Sequence, residues 1–177
     1  SSSAASDVYK RQTLVPPKGY LKRLREICDK HGILLIFDEV ITGWGRTGSA
    51  FAAQEWGVTP DIMTMAKATT NGVVPMGVVA VKEEMYDTVL DASKNPEGTP
   101  ELFHGYTYSG IPVAVAAALA VQDIFDKEDI FNRAKEMSPY FQDGLYSLKD
   151  LKEVVSIRGY GMTVSYTHLR AHETATY

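Results

Sequence analysis

Apolar residues recur every three or four positions in four parts of the chain, and this spacing predicts helices. In the first part the repeat stops at Gly32 and consists of Leu21, Leu24, Ile27 and Cys28. The other three predicted helices cover residues 82–93, 111–126 and 130–148. The helix over residues 111–126 is apolar nearly all round, so it must be buried within its domain or against a partner.

Short uninterrupted apolar runs alternate with these helices and are typical of strands. They cover residues 33–38, 61–66, 77–81 and 153–159. The first run is apolar at every position before Asp38, as expected for a strand that is buried on both faces of a parallel sheet. Because helices and strands alternate, the sequence predicts an α/β domain with a mainly parallel sheet flanked by helices.

Both ends of the chain differ from the interior. Residues 1–12 and 163–177 are polar, lack a useful periodicity and resemble translated sequencing-adapter read-through. We therefore expect adapter-like, non-native tails around a domain at residues 13–162, and we leave the tails out of the fold prediction. Disordered native tails are the alternative. If the tails are non-native, His168 and His172 bind no metal, and the sequence predicts no metal site.

Composition and charge narrow the possible functions. A net charge of −4 gives no support for a nucleic-acid surface. Cys28 is the only cysteine, so an internal disulfide and a cysteine-based metal cluster are excluded. The apolar runs are far shorter than the ~20 residues that cross a membrane, and no signal peptide opens the chain. The sequence therefore predicts a cytoplasmic protein with no membrane partner.

A G-x-G-x-x-G spacing follows the first predicted strand, at Gly43, Gly45 and Gly48. This spacing can mark a dinucleotide-binding turn. However, Asp38 and Glu39 lie between the strand and the first glycine, where two carboxylates would repel a diphosphate. No long helical pattern follows directly either. We interpret the glycines as a tight excursion after the strand, and a nicotinamide-dependent dehydrogenase is the less favoured alternative.

Asp38 and Lys67 indicate a different chemistry. Asp38 ends the first predicted strand and Lys67 follows the second, so both are expected at the edge of the sheet where α/β proteins bind ligands. Pyridoxal 5'-phosphate needs a lysine that forms a Schiff base with its aldehyde and an acidic partner for its protonated pyridine nitrogen. The pair therefore predicts a pyridoxal-phosphate site.

Around these residues the sequence resembles the class III aminotransferases, which are pyridoxal-phosphate-dependent transferases of fold type I. The resemblance is carried by FDEVITGWGRTGSAFAAQEWGVTPDIMTMAKATTNGVVPMGVVAV and by ELFHGYTYSGIPVAVAAALA. Within the class it is strongest to the omega-amino acid–pyruvate, or β-alanine–pyruvate, type. It extends over about residues 13–162 and implies that the chain is part of the large, cofactor-binding domain of such an enzyme.

The resemblance implies roles for five residues. Lys67 would be the catalytic lysine, which holds the cofactor and moves the proton, and Asp38 would pair with the pyridine nitrogen. Val40 would pack against one face of the cofactor ring. Thr107 would bind the cofactor phosphate, in this family from the neighbouring subunit, with Tyr106 beside it.

The activity that the resemblance implies is the transfer of an amino group from an omega-amino acid or amine, such as β-alanine, to pyruvate. The enzyme would be a homodimer. Members of the class are more than twice as long, and their upstream phosphate-binding loop and substrate-binding arginine have no counterpart here. The resemblance therefore implies a fragment that is inactive by itself. Alternatives within the class are a taurine– or other amine–pyruvate aminotransferase and an aminomutase.

Overall fold

A computed structural model describes residues 13–92, 105 and 107–168. In chain order its elements are α1 (Tyr20–His31), β1 (Ile36–Asp38), α2 (Ala52–Glu55), β2 (Ile62–Met65), a 3₁₀ turn (Lys67–Thr69), β3 (Val78–Val81), α3 (Glu83–Ala92), α4 (Pro112–Lys127), α5 (Ile130–Tyr146), β4 (Val154–Tyr160) and β5 (Thr163–His168). All four predicted helices and all four predicted strands are present. The short helix α2, the 3₁₀ turn and β5 were not predicted.

Helix α1 ends where the sequence predicted because Gly32 adopts a left-handed conformation, with φ of 63°. Glycine reaches this conformation at little cost, and the conformation directs the N–H of the next residue towards a carbonyl in the last turn of the helix. The N–H of Ile33 accordingly donates to the carbonyl of Cys28 at 2.9 Å. Cys28 itself joins Leu35 and Val58 in a small buried core, so α1 covers one face of β1.

The two faces of β1 differ in burial. Leu35, just before the strand, is buried, and Phe37 packs against the same core. Ile36 lies between them and is 56% exposed, because successive side chains of a strand point to opposite faces. The burial on both faces that the apolar run predicted is therefore not found within the described residues.

Strands β1, β2 and β3 form one sheet in that order. The first two are parallel, with Asp38 opposite Thr64, whereas β2 and β3 are antiparallel. The described part of the sheet is thus mixed, although a mainly parallel sheet was predicted. The connections explain the difference. A parallel pair needs a long crossover, usually through a helix, and only a 3₁₀ turn and a loop lie between β2 and β3.

Asp61 ties four elements together at the start of β2, at the end of the sheet opposite to Asp38. Its carboxylate accepts the Leu35 N–H at 2.7 Å and pairs with Arg25 of α1 and Lys82 after β3, each at 2.7 Å. These three bonds hold the pKa of Asp61 below its ordinary value of 3.8. The bond from the Leu35 N–H has the largest effect on the pKa, and those from Lys82 and Arg25 have smaller ones. The carboxylate is therefore ionised and fully paired at neutral pH.

Strands β4 and β5 form an antiparallel hairpin. Strand β5 begins at Thr163, inside the segment that was left out of the fold prediction, so the sequence analysis missed it. The hairpin reaches α2 through Tyr160, whose hydroxyl donates to Glu55 at 2.6 Å. Burial, together with this bond, raises the pKa of Tyr160 to about 12, so the hydroxyl stays protonated and remains a donor.

Helices α4 and α5 follow one another and pack together beside the 3₁₀ turn. Pro112 occupies the first turn of α4, where a missing N–H costs nothing. Within the ranges that the structure describes, no helix is long and apolar enough to cross a membrane. Most of the segment between α3 and α4 lies outside the described residues.

Candidate active site

Asp38 lies at the carboxyl end of β1, and two local bonds orient its carboxylate. The Val40 N–H donates to Oδ1 at 3.1 Å, and the hydroxyl of Thr64 donates to the same oxygen at 3.3 Å. Thr64 is also the register neighbour of Asp38 on β2. Since both bonds from described residues go to Oδ1, the other carboxylate oxygen of this exposed side chain is left for a ligand.

Lys67 begins the 3₁₀ turn after β2, and its backbone is left-handed, with φ of 49°. This conformation crowds any side chain and costs about 1–2 kcal/mol. The turn is closed by the N–H of Gly72, which donates to the Lys67 carbonyl at 3.1 Å. Strained residues of this kind concentrate at functional sites, so the backbone favours a functional role for this lysine.

Lys67 and Val40 line the same cavity, which has a volume of about 590 Å³. Asp38 borders a separate cavity of about 330 Å³, together with Phe37 and Trp56. Thr163 contributes to the walls of both. Three predicted site residues, Asp38, Val40 and Lys67, therefore lie along one edge of the sheet, and two of them share a cavity.

Glu39 holds the loop that follows Asp38. It is 1% exposed, and its carboxylate accepts the N–H groups of Ala52 at 3.0 Å and Ala53 at 2.7 Å, as well as the Thr42 hydroxyl. The buried charge thus caps the first turn of α2, where the helix dipole favours an anion. In the sequence, Glu39 is recognisable only as an acidic residue. Its distance of 13 residues from Ala52 gives no local signal of a cap.

The glycine-rich loop is not a dinucleotide-binding turn. The helix that follows it, α2, has four residues, and Glu39 already occupies its first N–H groups. Gly43 is required for close packing, because a Cβ there would lie 2.7 Å from the Glu39 carbonyl oxygen. Gly45 and Gly48 have φ of 92° and 93°, which other residues rarely adopt. The interpretation as a tight excursion after the strand is therefore confirmed.

The sequence model of the family described as "Aminotransferase class-III" matches residues 13–175, which is nearly the whole chain. The chain belongs to the class-III aminotransferases. The family resemblance found from the motifs around Asp38 and Lys67 is thus confirmed. The match also runs through β5 and beyond residue 162, where the predicted domain ended.

Curated omega-aminotransferases are among the relatives that this class-III aminotransferase resembles. It is 54% identical to an omega-aminotransferase of Caulobacter vibrioides over 149 residues, which cover 84% of the chain and 33% of the relative. It is 52% identical, with the same coverage, to an omega-amino acid–pyruvate aminotransferase of Pseudomonas putida. The chain therefore spans about a third of the length of the curated relatives that it matches.

Solved structures confirm the fold of this class-III aminotransferase. An (S)-enantioselective omega-transaminase from Thermomicrobium roseum superposes with a TM-score of 0.82 at 40% identity, over 92% of the chain and 35% of that structure. An amine transaminase from an uncultivated Pseudomonas species, in its PLP-bound form, gives 0.80 at 40% identity, over 92% and 36%. The α/β fold of type I pyridoxal-phosphate transaminases is thus established.

The structure does not bring every predicted site residue of this class-III aminotransferase together. Thr107 lies in an exposed turn before α4 and is not part of the cavity wall that holds Lys67. Tyr106 lies outside the described residues. Arg46, in contrast, lines that cavity, although it was not among the predicted site residues. Its backbone carbonyl accepts the Met162 N–H at 2.8 Å, which ties its loop to the β4–β5 hairpin.

Proposed function

We propose that this chain is part of the cofactor-binding domain of a transaminase that moves an amino group from an omega-amino acid, such as β-alanine, to pyruvate. One observation carries the proposal. Asp38 and Lys67 stand at the ends of two neighbouring parallel strands, with Asp38 opposite Thr64 and Lys67 three residues farther along. A carboxylate and an amine in this relation are the two groups that pyridoxal-phosphate chemistry requires.

The chemistry of these residues fits pyridoxal 5'-phosphate. Asp38 has an oxygen available for a protonated ring nitrogen, Val40 offers an apolar contact for a ring, and Lys67 offers an amine for an aldehyde. Lys67 and Arg46 both line a cavity whose described wall contains no carboxylate, which suits an anionic cofactor and an anionic substrate. When bound, the cofactor supplies an electron sink for the carbon that loses a proton.

The side chains of the chain then have separate tasks. Asp38 holds a positive charge on the ring nitrogen because its own negative charge stabilises it. Thr64 and Val40 keep that carboxylate in place through their bonds to Oδ1. Lys67 would take a proton from the substrate carbon and return it two atoms away, in a 1,3-shift, which requires a neutral amine within reach of both positions.

The substrates are proposed from the relatives. The Pseudomonas putida relative is named for omega-amino acids and pyruvate, and it shares 52% of the aligned residues. On this basis the amine donor is a small omega-amino acid and the acceptor is pyruvate, which becomes alanine. We also propose a cytoplasmic homodimer, in which the exposed Thr107 and its neighbour Tyr106 bind the cofactor phosphate of the partner subunit.

We propose further that the working enzyme is longer than this chain. The support is the length of the relatives, of which the chain covers about a third. Residues 13–162 would then belong to the large domain, and residues 1–12 and 163–177 would be adapter-derived, although the family match extends to residue 175. Recovery of the full-length gene tests both statements, because the natural sequence would differ from this chain in the two terminal segments.

The activity is tested with the full-length protein, purified with pyridoxal 5'-phosphate. Alanine formation from pyruvate is measured with β-alanine, with taurine and without a donor. We expect alanine to form with β-alanine and to depend on the added cofactor. No alanine with either donor, or a reaction that requires a nicotinamide cofactor, would contradict the proposal. Faster turnover with taurine would correct the substrate and leave the reaction class in place.

A further inference from the structure

A single hydrogen bond joins the two loops that carry the proposed site. The indole N–H of Trp44 donates to the hydroxyl of Thr69 at 3.0 Å. Trp44 belongs to the loop after Asp38, and Thr69 belongs to the 3₁₀ turn that begins with Lys67. The bond therefore connects the segment of the proposed pyridine partner to the segment of the proposed catalytic lysine.

Two aromatic contacts fix the position of Trp44, the donor of this bond. Its ring lies 5.9 Å from Phe125 of α4 in a stacked arrangement and 4.8 Å from Phe51 in an edge-on arrangement. Aromatic pairs at such distances add about 0.5–1.5 kcal/mol to the burial of their surfaces. Trp44 also has a left-handed backbone, with φ of 61°. The surroundings thus enforce one position of the indole, and with it one direction of the N–H.

Thr69 passes the contact on to the backbone that precedes Lys67. Its hydroxyl, besides accepting from Trp44, donates to the carbonyl of Ala66 at 3.1 Å. Thr69 is 3% exposed, so neither bond competes with bulk water. The chain of contacts runs from the indole N–H through the hydroxyl to the Ala66 carbonyl, and linked bonds of this kind strengthen one another in a dry environment.

We propose that Trp44 and Thr69 are positioning residues that hold the strained backbone of Lys67 in register with the Asp38 loop. The inference rests on the proposed function, which gives Lys67 its role. A left-handed lysine persists only where the surroundings fix it. The Thr69 hydroxyl, together with the Thr69 N–H, donates to the carbonyl of Ala66, the residue directly before Lys67, and the Trp44 bond fixes the turn relative to the neighbouring loop.

The test uses substitutions that keep shape and remove one hydrogen-bonding group. Trp44→Phe keeps an aromatic ring and loses the N–H, whereas Thr69→Val keeps the volume and loses the hydroxyl. Thr69→Ser retains a hydroxyl and serves as the rescuing variant. Thr88→Val is the matched control, because the Thr88 hydroxyl also donates to a backbone carbonyl, that of Glu84 at 2.7 Å, but lies on α3 away from the turn.

In the full-length enzyme we expect Trp44→Phe and Thr69→Val each to lower kcat about tenfold, as loss of one buried bond implies, with little change in KM. The double variant should be no worse than the poorer single variant, since both remove the same link. Thr69→Ser and Thr88→Val should stay near wild type. In the cofactor-free protein, backbone amides of residues 67–72 should exchange hydrogen faster in Trp44→Phe and Thr69→Val only.

The outcomes separate this inference from the proposed function. If Lys67→Ala retains activity, the proposed function fails, whatever the other variants do. If Lys67→Ala is inactive but Thr69→Val matches Thr69→Ser in both kcat and exchange, the positioning inference fails by itself. Equal losses in Thr69→Val and Thr88→Val would likewise overturn it, because they would indicate a general effect of removing a threonine hydroxyl. Should Trp44→Phe fold poorly, the comparison of the two Thr69 variants still decides.

Discussion

Lys67 combines an exposed amine with a left-handed backbone conformation. This conformation costs free energy in any residue with a side chain. A glycine at this position would relieve the crowding, but it would remove the amine. Asp38, on the neighbouring strand, is likewise exposed and is oriented by two donors on one oxygen. At the scale of single residues, the proposed site thus consists of polar groups that are exposed and contribute little to burial.

Replacement of Lys67 tests the catalytic assignment. We expect both Lys67→Ala and Lys67→Arg in the full-length enzyme to lower turnover by more than about a thousandfold, as loss of a central catalytic group does elsewhere. The arginine variant keeps the charge but cannot supply a neutral amine. Lys127→Ala is the control, since that side chain is 75% exposed on α4. Turnover within about tenfold of wild type in either Lys67 variant would contradict the assignment of Lys67 as the catalytic lysine.

Replacement of Asp38 tests the charge on the ring partner. Asp38→Asn keeps the shape and can still accept the bonds from Val40 and Thr64, but it loses the negative charge. With the cofactor bound over Asp38, the carboxylate and the ring nitrogen would form a buried charge pair. Removal of one member of such a pair costs roughly 3 kcal/mol or more, so the rate of each half-reaction should fall at least ~100-fold. Stopped-flow measurement of the half-reactions gives these rates, with Asp123→Asn on α4 as the exposed control. Unchanged rates would rule out the pairing.

At the scale of elements, the end of the sheet opposite to the site is built for stability. The three bonds of Asp61 connect α1, β1, β2 and β3 through one carboxylate. Its side chain is 10% exposed, so the ion pairs with Arg25 and Lys82 are better shielded from solvent than surface pairs are. The stabilising bonds of Asp61 thus lie at one end of the sheet, and Asp38 and Lys67 lie at the other.

The Asp61 network predicts a pH dependence of stability. Because the pKa of Asp61 is lower in the folded state than its ordinary value of 3.8, the stabilisation is complete above that value and is lost as the pH falls towards the folded pKa. Asp61→Asn should lower the free energy of unfolding by about 3 kcal/mol at pH 7, and this difference should shrink below about pH 4. Chemical denaturation of the full-length protein at several pH values measures both effects.

Asp29 provides the control for this prediction. Asp29 also pairs with Arg25 at 2.7 Å, but its side chain is 64% exposed. Asp29→Asn should therefore cost less than about 1 kcal/mol, as exposed pairs do. Equal costs for the two substitutions, or an Asp61→Asn difference that does not depend on pH, would contradict the role given to Asp61.

At the scale of the whole molecule, the described chain leaves large apolar side chains in solvent. Ile36 on β1 is 56% exposed, and Val113 and Leu119 on α4 are 60% and 64% exposed. Exposed apolar surface of this kind marks contact with other protein or a tendency to associate. It agrees with the proposal that a longer polypeptide and a partner subunit surround this part of the enzyme.

This exposure predicts the behaviour of the isolated chain. We expect the 177-residue chain to sediment as an associated species and to form no alanine from β-alanine and pyruvate. Leu119→Glu, which removes one exposed apolar side chain of α4, should shift the distribution towards smaller species in analytical ultracentrifugation. A soluble monomer that forms alanine at a measurable rate would overturn both the fragment proposal and the need for a partner subunit.

Local patterns along the sequence determined the positions of the elements and suggested the chemistry of the proposed site. The repeat of Leu21, Leu24 and Cys28 fixed α1, and Gly32 fixed its end, because helix periodicity and glycine caps depend on neighbouring residues only. The apolar runs before Asp38 and Lys67 likewise placed both residues at strand ends. The family resemblance then connected the two residues to pyridoxal phosphate, and the class-III match confirms that family.

Tertiary structure alone decided which partners these elements have. The antiparallel pairing of β3, the open face of β1 and the strand β5 all depend on residues far away in sequence. The cap that Glu39 provides and the bond from Trp44 to Thr69 span 13 and 25 residues, respectively. No periodicity encodes such contacts. Burial and hydrogen bonding are satisfied between segments, and only the folded chain brings those segments together.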